Sequence, residues 1–125
     1  MTSLQPHDKY ISIRDTWIKS ARLIVDYKSR SVMLNEPMYK LLGSPDSVGL
    51  FYDNDNIFIM PNGLMPLNKN VFKHNIYEIR NSRTLVKNIQ LLFDIDNNEE
   101  KTLKYRLYKT INTYYFNGVI INMRR

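Results

Sequence analysis

The chain has 125 residues, a formal net charge of +6 and no cysteine. This length favours one domain with its own hydrophobic core, and the lack of cysteine excludes disulfides and thiolate metal sites. The N-terminal stretch MTSLQPHDKY lacks the apolar segment of a secretory signal, and all apolar runs are far shorter than the ~20 residues of a membrane span. We therefore expect a soluble, cytoplasmic protein that contacts no membrane.

The first third of the chain predicts a short helix, two strands and a second short helix. Asp15 can cap a helical turn, because its carboxylate can accept hydrogen bonds from free backbone N–H groups. The β-branched stretches RLIVDYK and SRSVML then predict two strands with a turn at Lys28–Ser29. Asn35 is a suitable N-cap for the next helix, and Gly43 can end it in a left-handed conformation.

The middle of the chain predicts a hairpin, a linker, a strand and a helix. VGLFYD and IFIMP are apolar stretches separated by turn residues, which is typical of a hairpin. Residues 62–74 contain Gly63 and Pro66 and predict a linker. NIYEIRN predicts a strand, and SRTLVKNIQLLFDI predicts a strand edge followed by a helix. The apolar side of that helix consists of Val86, Ile89, Leu92 and Phe93.

Residues 101–125 carry six basic side chains and no acidic ones. Such a charge imbalance indicates a polyanion or an acidic protein surface as partner, although a solvated face that maintains solubility has the same composition. Residues 101–115 fit either a strand or a helix, and we favour the strand because Tyr, Thr and Ile prefer strands. Asn117–Gly118 then predicts a hairpin turn before the last strand.

If residues 101–115 form a strand, Lys104, Arg106 and Tyr108 lie on one side of it. The two cations could then neutralise phosphates, and the tyrosine ring could stack on a base. Lysine on an edge strand also protects a sheet against aggregation, which is the structural alternative.

Two segments of the chain share a pattern. SRSVMLNEPMYKLLGS and SRTLVKNIQLLFDID each combine Ser-Arg, an apolar strand, a short amphipathic helix and a turn, and each half ends in an apolar hairpin. The first half, VDYKSRSVMLNEPMYKLLGSPDSVGLFYDNDNIFIMP, resembles the AbrB/MazE-like swapped-hairpin barrel, above all in its Leu-Leu-Gly helix end and its VGLFYD strand. The chain also looks like small phage and prophage proteins that carry two such half-motifs in tandem.

The resemblance implies a β-rich α+β fold, a pseudo-duplicated AbrB-like barrel with short helices. Two units in one chain could close the barrel as a monomeric pseudo-dimer, or two chains could exchange units as a homodimer. We expect an N-terminal extension with a short helical turn at 1–21, a first half at 22–61, a linker at 62–74 and a second half at 75–125.

The first half departs from the family at its basic positions. Ser31 stands where the family has its corner arginine, and Arg30 comes one place early. On the short helix only Lys40 is basic. The first half thus lacks much of the positive face with which the family binds DNA.

The resemblance and the charge together predict a non-catalytic, phage-type DNA-binding or regulatory protein whose partner is duplex DNA. No phosphate-binding glycine loop, metal-spaced His/Asp set or nucleophile elbow occurs in the sequence, so we expect no enzyme activity, no cofactor and no metal. The candidate stacking platform is Tyr108, and the candidate phosphate contacts are Arg30, Lys40, Arg83, Lys104, Arg106 and Lys109.

A second function class fits the aromatic content. Nine tyrosines and five phenylalanines are many for this length, and tyrosine and arginine dominate the hot spots of protein interfaces. The alternative is therefore a small phage protein that binds and inhibits a host or defence nucleic-acid enzyme, an anti-CRISPR type of role. The two classes differ in salt response, because phosphate contacts weaken steeply with salt.

Overall fold

A computed structural model of the chain describes residues 13–69, 75–113 and 117–124. Within these residues the fold is β-rich α+β, as expected, with three helices and nine strands. The helices are α1 (Ile13–Ser20), α2 (Glu36–Leu41) and α3 (Arg83–Leu92). The strands are β1 (Arg22–Asp26), β2 (Ser31–Asn35), β3 (Ser47–Tyr52), β4 (Asn56–Pro61), β5 (Met65–Lys69), β6 (Ile76–Ile79), β7 (Thr102–Arg106), β8 (Lys109–Asn112) and β9 (Asn117–Asn122).

The strands form one antiparallel sheet with the order β7-β1-β2-β6-β5-β3-β4-β9-β8. Its two edge strands, β7 and β8, follow each other in the chain with only Leu107 and Tyr108 between them. Three Cα–Cα steps span at most roughly 11 Å, so the two edges must come together at this corner. The sheet is accordingly curled into a half-barrel. None of the helices in the described ranges has the length and hydropathy that a bilayer crossing requires.

The concave side of the sheet holds the hydrophobic core. Side chains alternate between the two faces of a strand, so Leu23 and Val25 of β1 point inward with Val32 and Leu34 of β2, and all four are fully buried. Ile57 and Ile59 of β4 and Ile121 of β9 belong to the same core. The edge strand β7 takes part in the same alternation.

The predicted helix after β2 is confirmed as α2. The Asn35 side chain accepts a hydrogen bond from the Met38 N–H at 3.1 Å, which caps the helix. It also accepts from the Arg22 N–H at 2.9 Å and donates to the Ser20 carbonyl at 2.8 Å. One side chain thus joins α2 to the junction of α1 and β1. Gly43 follows the helix with a left-handed φ of 84°.

The N-terminal extension is described only in part, because residues 1–12 lie outside the described ranges. The expected helical turn is α1, which begins at Ile13, so that Asp15 lies in its first turn rather than at its cap. An acidic side chain in this position still stabilises the helix, because it interacts favourably with the positive end of the helix dipole.

Part of the expected linker is a strand. Residues 62–74 contain β5, which pairs with β3 on one side and with β6 on the other and so connects the two parts of the sheet. Its sequence, MPLNK, contains a proline and polar residues and therefore does not predict a strand. All five of its side chains are at least partly exposed, so few of them need to be apolar.

The second Ser-Arg segment contains no strand. Ser82 occupies the N-cap position and α3 begins at Arg83, so the strand edge predicted at the start of SRTLVKNIQLLFDI is wrong. The strand that precedes this helix is β6. Val86, Ile89 and Phe93 are buried as expected, but Leu92 is 45% exposed.

The last hairpin is confirmed as the antiparallel pair of β8 and β9, but Asn117–Gly118 is not its turn. Asn112 pairs with Asn117, so Asn117 and Gly118 are the first residues of β9. Residues 114–116 lie outside the described residues. Glycine is needed at 118 for a different reason. A Cβ atom there would overlap the Ile59 carbonyl oxygen of β4.

Candidate functional site: the corner between β7 and β8

A groove opens where the two edges of the sheet come together. Its volume is about 480 Å³, within the roughly 300–1,000 Å³ typical of ligand sites. The chain leaves β7 at this corner and enters β8, so one segment supplies most of the lining. The groove is lined by Lys104, Tyr105, Arg106, Leu107, Tyr108 and Asn122.

The alternation of β7 places the cations on the outside. Leu103 and Tyr105 pack against the core, whereas Lys104 and Arg106 are exposed. The strand prediction for this region is therefore confirmed over Thr102–Arg106 and Lys109–Asn112, and the helical alternative is wrong there.

The corner carries uncompensated positive charge. Within the described residues, neither Lys104 nor Arg106 forms an ion pair with a carboxylate. Arg106 lies directly opposite Arg22 in the pairing of β7 with β1. Like charges at such positions repel each other, so the corner favours a bound anion.

Arg22 has a structural task as well. Its Nη1 donates hydrogen bonds to the carbonyl oxygens of Lys19 at 2.9 Å and Ala21 at 2.8 Å. The guanidinium thereby binds the C-terminal end of α1, where a cation is favourable. This contact holds one cation of the corner in a fixed position.

Tyr108 and Lys109 extend the basic corner to β8. The Tyr108 side chain is 48% exposed, and its backbone N–H donates to the Ile120 carbonyl at 2.8 Å, which fixes the residue against β9. The Lys109 ammonium lies 5.9 Å from the centre of the Tyr108 ring, within the range of a cation–π interaction. An aromatic ring and three cations, those of Lys104, Arg106 and Lys109, are thus contributed by six consecutive residues.

A hydrogen-bonded pair of tyrosines connects the groove to the core, with Tyr27 buried and Tyr105 partly buried in the groove lining. The hydroxyl oxygens of Tyr27 and Tyr105 are 2.6 Å apart. Burial and then the hydrogen bond with Tyr105 raise the pKa of Tyr27. Burial also raises the pKa of Tyr105, although the hydrogen bond from Tyr27 acts in the opposite direction. The pair is therefore neutral at physiological pH and adds no charge to the groove.

We expect alkaline pH to destabilise the protein through this pair. Because both pKa values are raised above the usual value of about 10, the folded protein holds these protons more tightly than the unfolded chain. The stabilising contribution is complete below about pH 10 and is lost as the pH rises further. Urea denaturation at about pH 8 and about pH 11 should show a larger loss of unfolding free energy for the wild type than for a Tyr27→Phe, Tyr105→Phe double variant. Equal losses in the two proteins would contradict this assignment.

Three of the sequence-predicted contacts lie away from the corner. Arg30 occupies the turn between β1 and β2, at the opposite end of β1 from Arg22, with a left-handed φ of 58°. The Lys40 ammonium is 3.1 Å from a Glu36 carboxylate oxygen and 5.9 Å from the Trp17 ring centre. Arg83 is the exposed first residue of α3. The structure thus brings together Lys104, Arg106, Tyr108 and Lys109, and the roles of the other three stay predictions.

Sequence reasoning missed Arg22, Tyr105 and Asn122 as residues of this corner. Arg22 precedes a predicted strand, and only the register that sets it opposite Arg106 gives it a place here. Tyr105 could have been placed beside them from the same alternation that selected Lys104 and Arg106. Asn122 comes from β9, and no local signal of the sequence places it at the groove.

A smaller cavity of about 180 Å³ lies near the start of α3, between Tyr52, Met65 and Arg80. It contains no carboxylate, and the Arg80 guanidinium donates to the Asn68 side chain at 2.9 Å. Among the described residues, no three His, Asp or Glu side chains come together in a way that could hold a metal ion. The basic corner is therefore the better candidate site.

Comparisons with protein-family models, curated proteins and solved structures give no match for this chain. The resemblance to the AbrB family thus stays a prediction.

Proposed function

We propose that this chain is a non-catalytic DNA-binding protein of regulatory type that holds phosphates at the corner between β7 and β8. The observation that carries the proposal is the grouping of Lys104, Arg106 and Lys109 around an exposed tyrosine at the rim of a groove. Cations of this kind bind the phosphate backbone and release its counterions. The pairing of Arg22 with Arg106 adds to the positive potential there.

The strand order supports a duplicated, AbrB-like barrel as the scaffold. Exchanging β1 with β5, β2 with β6, β4 with β9 and the β7–β8 segment with β3 leaves the set of strand pairs in the described sheet unchanged. The pairs β2–β6 and β4–β9 map onto themselves, and the other six pairs map onto one another. In each half a helix follows the second strand, α2 after β2 and α3 after β6. On this proposal the chain closes its barrel alone, as a monomeric pseudo-dimer.

The salt dependence of DNA binding tests the proposed function. We expect fluorescence anisotropy with labelled duplex DNA to show binding at about 50 mM salt that weakens steeply at about 200 mM. The Lys104→Ala, Arg106→Ala double variant should reduce the slope of log K against log salt by roughly 1.8, because each phosphate contact contributes about 0.9.

A double variant with the same loss of charge serves as the control. Lys28 lies in the turn between β1 and β2 and Lys87 on α3, and both are exposed outside the groove. We expect Lys28→Ala with Lys87→Ala to change the slope much less. The proposal fails if no DNA binds at low salt, or if the two double variants behave alike.

Exposed apolar side chains on β3 and in the turn between β4 and β5 favour a second candidate, inhibition of a nucleic-acid enzyme by protein contacts. Leu64 is 98% exposed and Phe51 is 53% exposed. If this surface is the functional one, capture of such an enzyme from a host lysate should survive high salt and the Lys104→Ala, Arg106→Ala change. It should be lost with Leu64→Asp and Phe51→Ser. Capture that depends instead on the corner cations would reject this candidate.

A further inference from the structure

We infer that the groove between β7 and β8 binds single-stranded rather than duplex nucleic acid, with a base on Tyr108 and phosphates on Lys104 and Arg106. The inference rests on the proposed function and specifies the form of the nucleic acid.

The position of the Tyr108 ring supports binding of a single strand. Tyr108 has nearly half of its surface exposed and lines a concave groove together with the two cations. In a duplex the faces of the bases are covered by their neighbours in the stack, so a tyrosine ring cannot lie against one. An unpaired base offers its face, and base–aromatic stacking beside a basic track is how single strands are bound without sequence preference.

The size of the groove also supports binding of a single strand. A volume of about 480 Å³ suits a ligand of nucleotide size. Reading a duplex instead requires a protruding helix or ribbon that enters its groove, and this corner is a concavity.

The groove also offers groups that can bind the edge of a base. Within the described sheet β7 pairs only with β1, so the backbone groups of its other edge take no part in strand pairing, and three of its residues line the groove. Asn122 contributes a side-chain amide to the lining; its oxygen accepts from the Arg124 N–H at 3.0 Å, and its NH2 group can donate hydrogen bonds. Single-stranded bases present these edges for recognition because they are unpaired.

The test compares three labelled ligands of equal length, about 12 nucleotides, at one salt concentration. They are a single-stranded oligothymidylate, a duplex, and an abasic strand with the same phosphates and no bases. For the wild-type protein we expect the oligothymidylate to bind about tenfold more tightly than either of the others, as the loss of one stacked base would give. The abasic strand isolates stacking without any change to the protein.

Two variants test whether the preference for the oligothymidylate depends on Tyr108. Tyr108→Leu should weaken binding of the oligothymidylate about tenfold and leave the duplex and the abasic strand unchanged. Phe51→Leu is the matched control, because Phe51 is an equally exposed aromatic residue that does not line the groove. It should change no affinity.

The outcomes separate this inference from the proposed function. Salt-dependent binding in which the duplex equals or exceeds the single strand would overturn the inference and keep the proposed function. Equal affinity for the oligothymidylate and the abasic strand would also overturn it, because the bases would then contribute nothing. Absence of binding to all three ligands would overturn both.

Discussion

Replacing Gly63 with alanine should destabilise the protein by about 3 kcal/mol. A Cβ atom at this position would overlap backbone atoms of Val48 and Gly49 in β3. These atoms cannot move aside easily, because β3 is held by β4 on one side and β5 on the other. Thermal or urea denaturation of the purified variant measures the loss.

Gly43→Ala is the matched control for this change. Gly43 has a φ of 84°, but no atom lies within 4 Å of the position that its Cβ would take. The substitution therefore costs only the backbone strain of a left-handed residue, about 1 kcal/mol. If Gly63→Ala were no more destabilising than Gly43→Ala, the close packing of the two backbone segments would be wrong.

Leu34→Ala should cost about 2–5 kcal/mol of unfolding free energy. Leu34 is completely buried in β2 and lies opposite Leu23 on β1 and Tyr77 on β6. Both neighbours are held by the sheet, so they cannot collapse into the space that the missing methyl groups leave. Urea denaturation followed by circular dichroism measures the change, which should appear in the midpoint rather than in the m-value.

Leu64→Ala removes the same atoms from an exposed site. Because Leu64 is 98% exposed, we expect its truncation to change stability by no more than about 0.5 kcal/mol. Comparable losses for the two leucines would contradict the placement of Leu34 in the core.

The elements that could be predicted from the sequence are those whose signals are local. The cap at Asn35 and the left-handed Gly43 lie within one short stretch, and each determines its own backbone conformation. The hairpin of β3 and β4 has its turn signal beside its apolar strands, and the Asp53 side chain accepts from the N–H groups of Asp55 and Asn56 there. Such features depend little on the rest of the molecule.

The errors concern residues whose conformation is decided by distant parts of the chain. β5 contains Pro66 and polar residues and becomes a strand because β3 and β6 lie on either side of it. Gly118 follows an asparagine, which locally favours a turn, yet the approach of the β4 backbone requires glycine within a strand. In both cases tertiary contacts override the local preference.

The candidate site likewise contains residues that local sequence patterns predict and residues that only the tertiary structure brings there. Lys104 and Arg106 were predictable because the alternation of one strand selects them. Tyr108 was predicted on the same strand, but β7 ends at Arg106 and Tyr108 lies in the two-residue connection to β8. The residues around them could not be predicted, because Arg22 is brought to Arg106 by pairing between strands that are distant in sequence. Conversely, Lys40 has the right residue type but is paired with Glu36.

β7, β8 and β9 follow all the other strands of the described sheet in the chain, which has a consequence for synthesis on the ribosome. Until residues 102–122 have emerged, only the part β1-β2-β6-β5-β3-β4 of the strand order is available, and β1 and β4 lack their outer neighbours. Unpaired edges of this kind template aggregation, and proteins generally emerge N-terminus first. The same C-terminal segment that carries the basic corner therefore also protects the nascent chain, because its arrival covers both open edges.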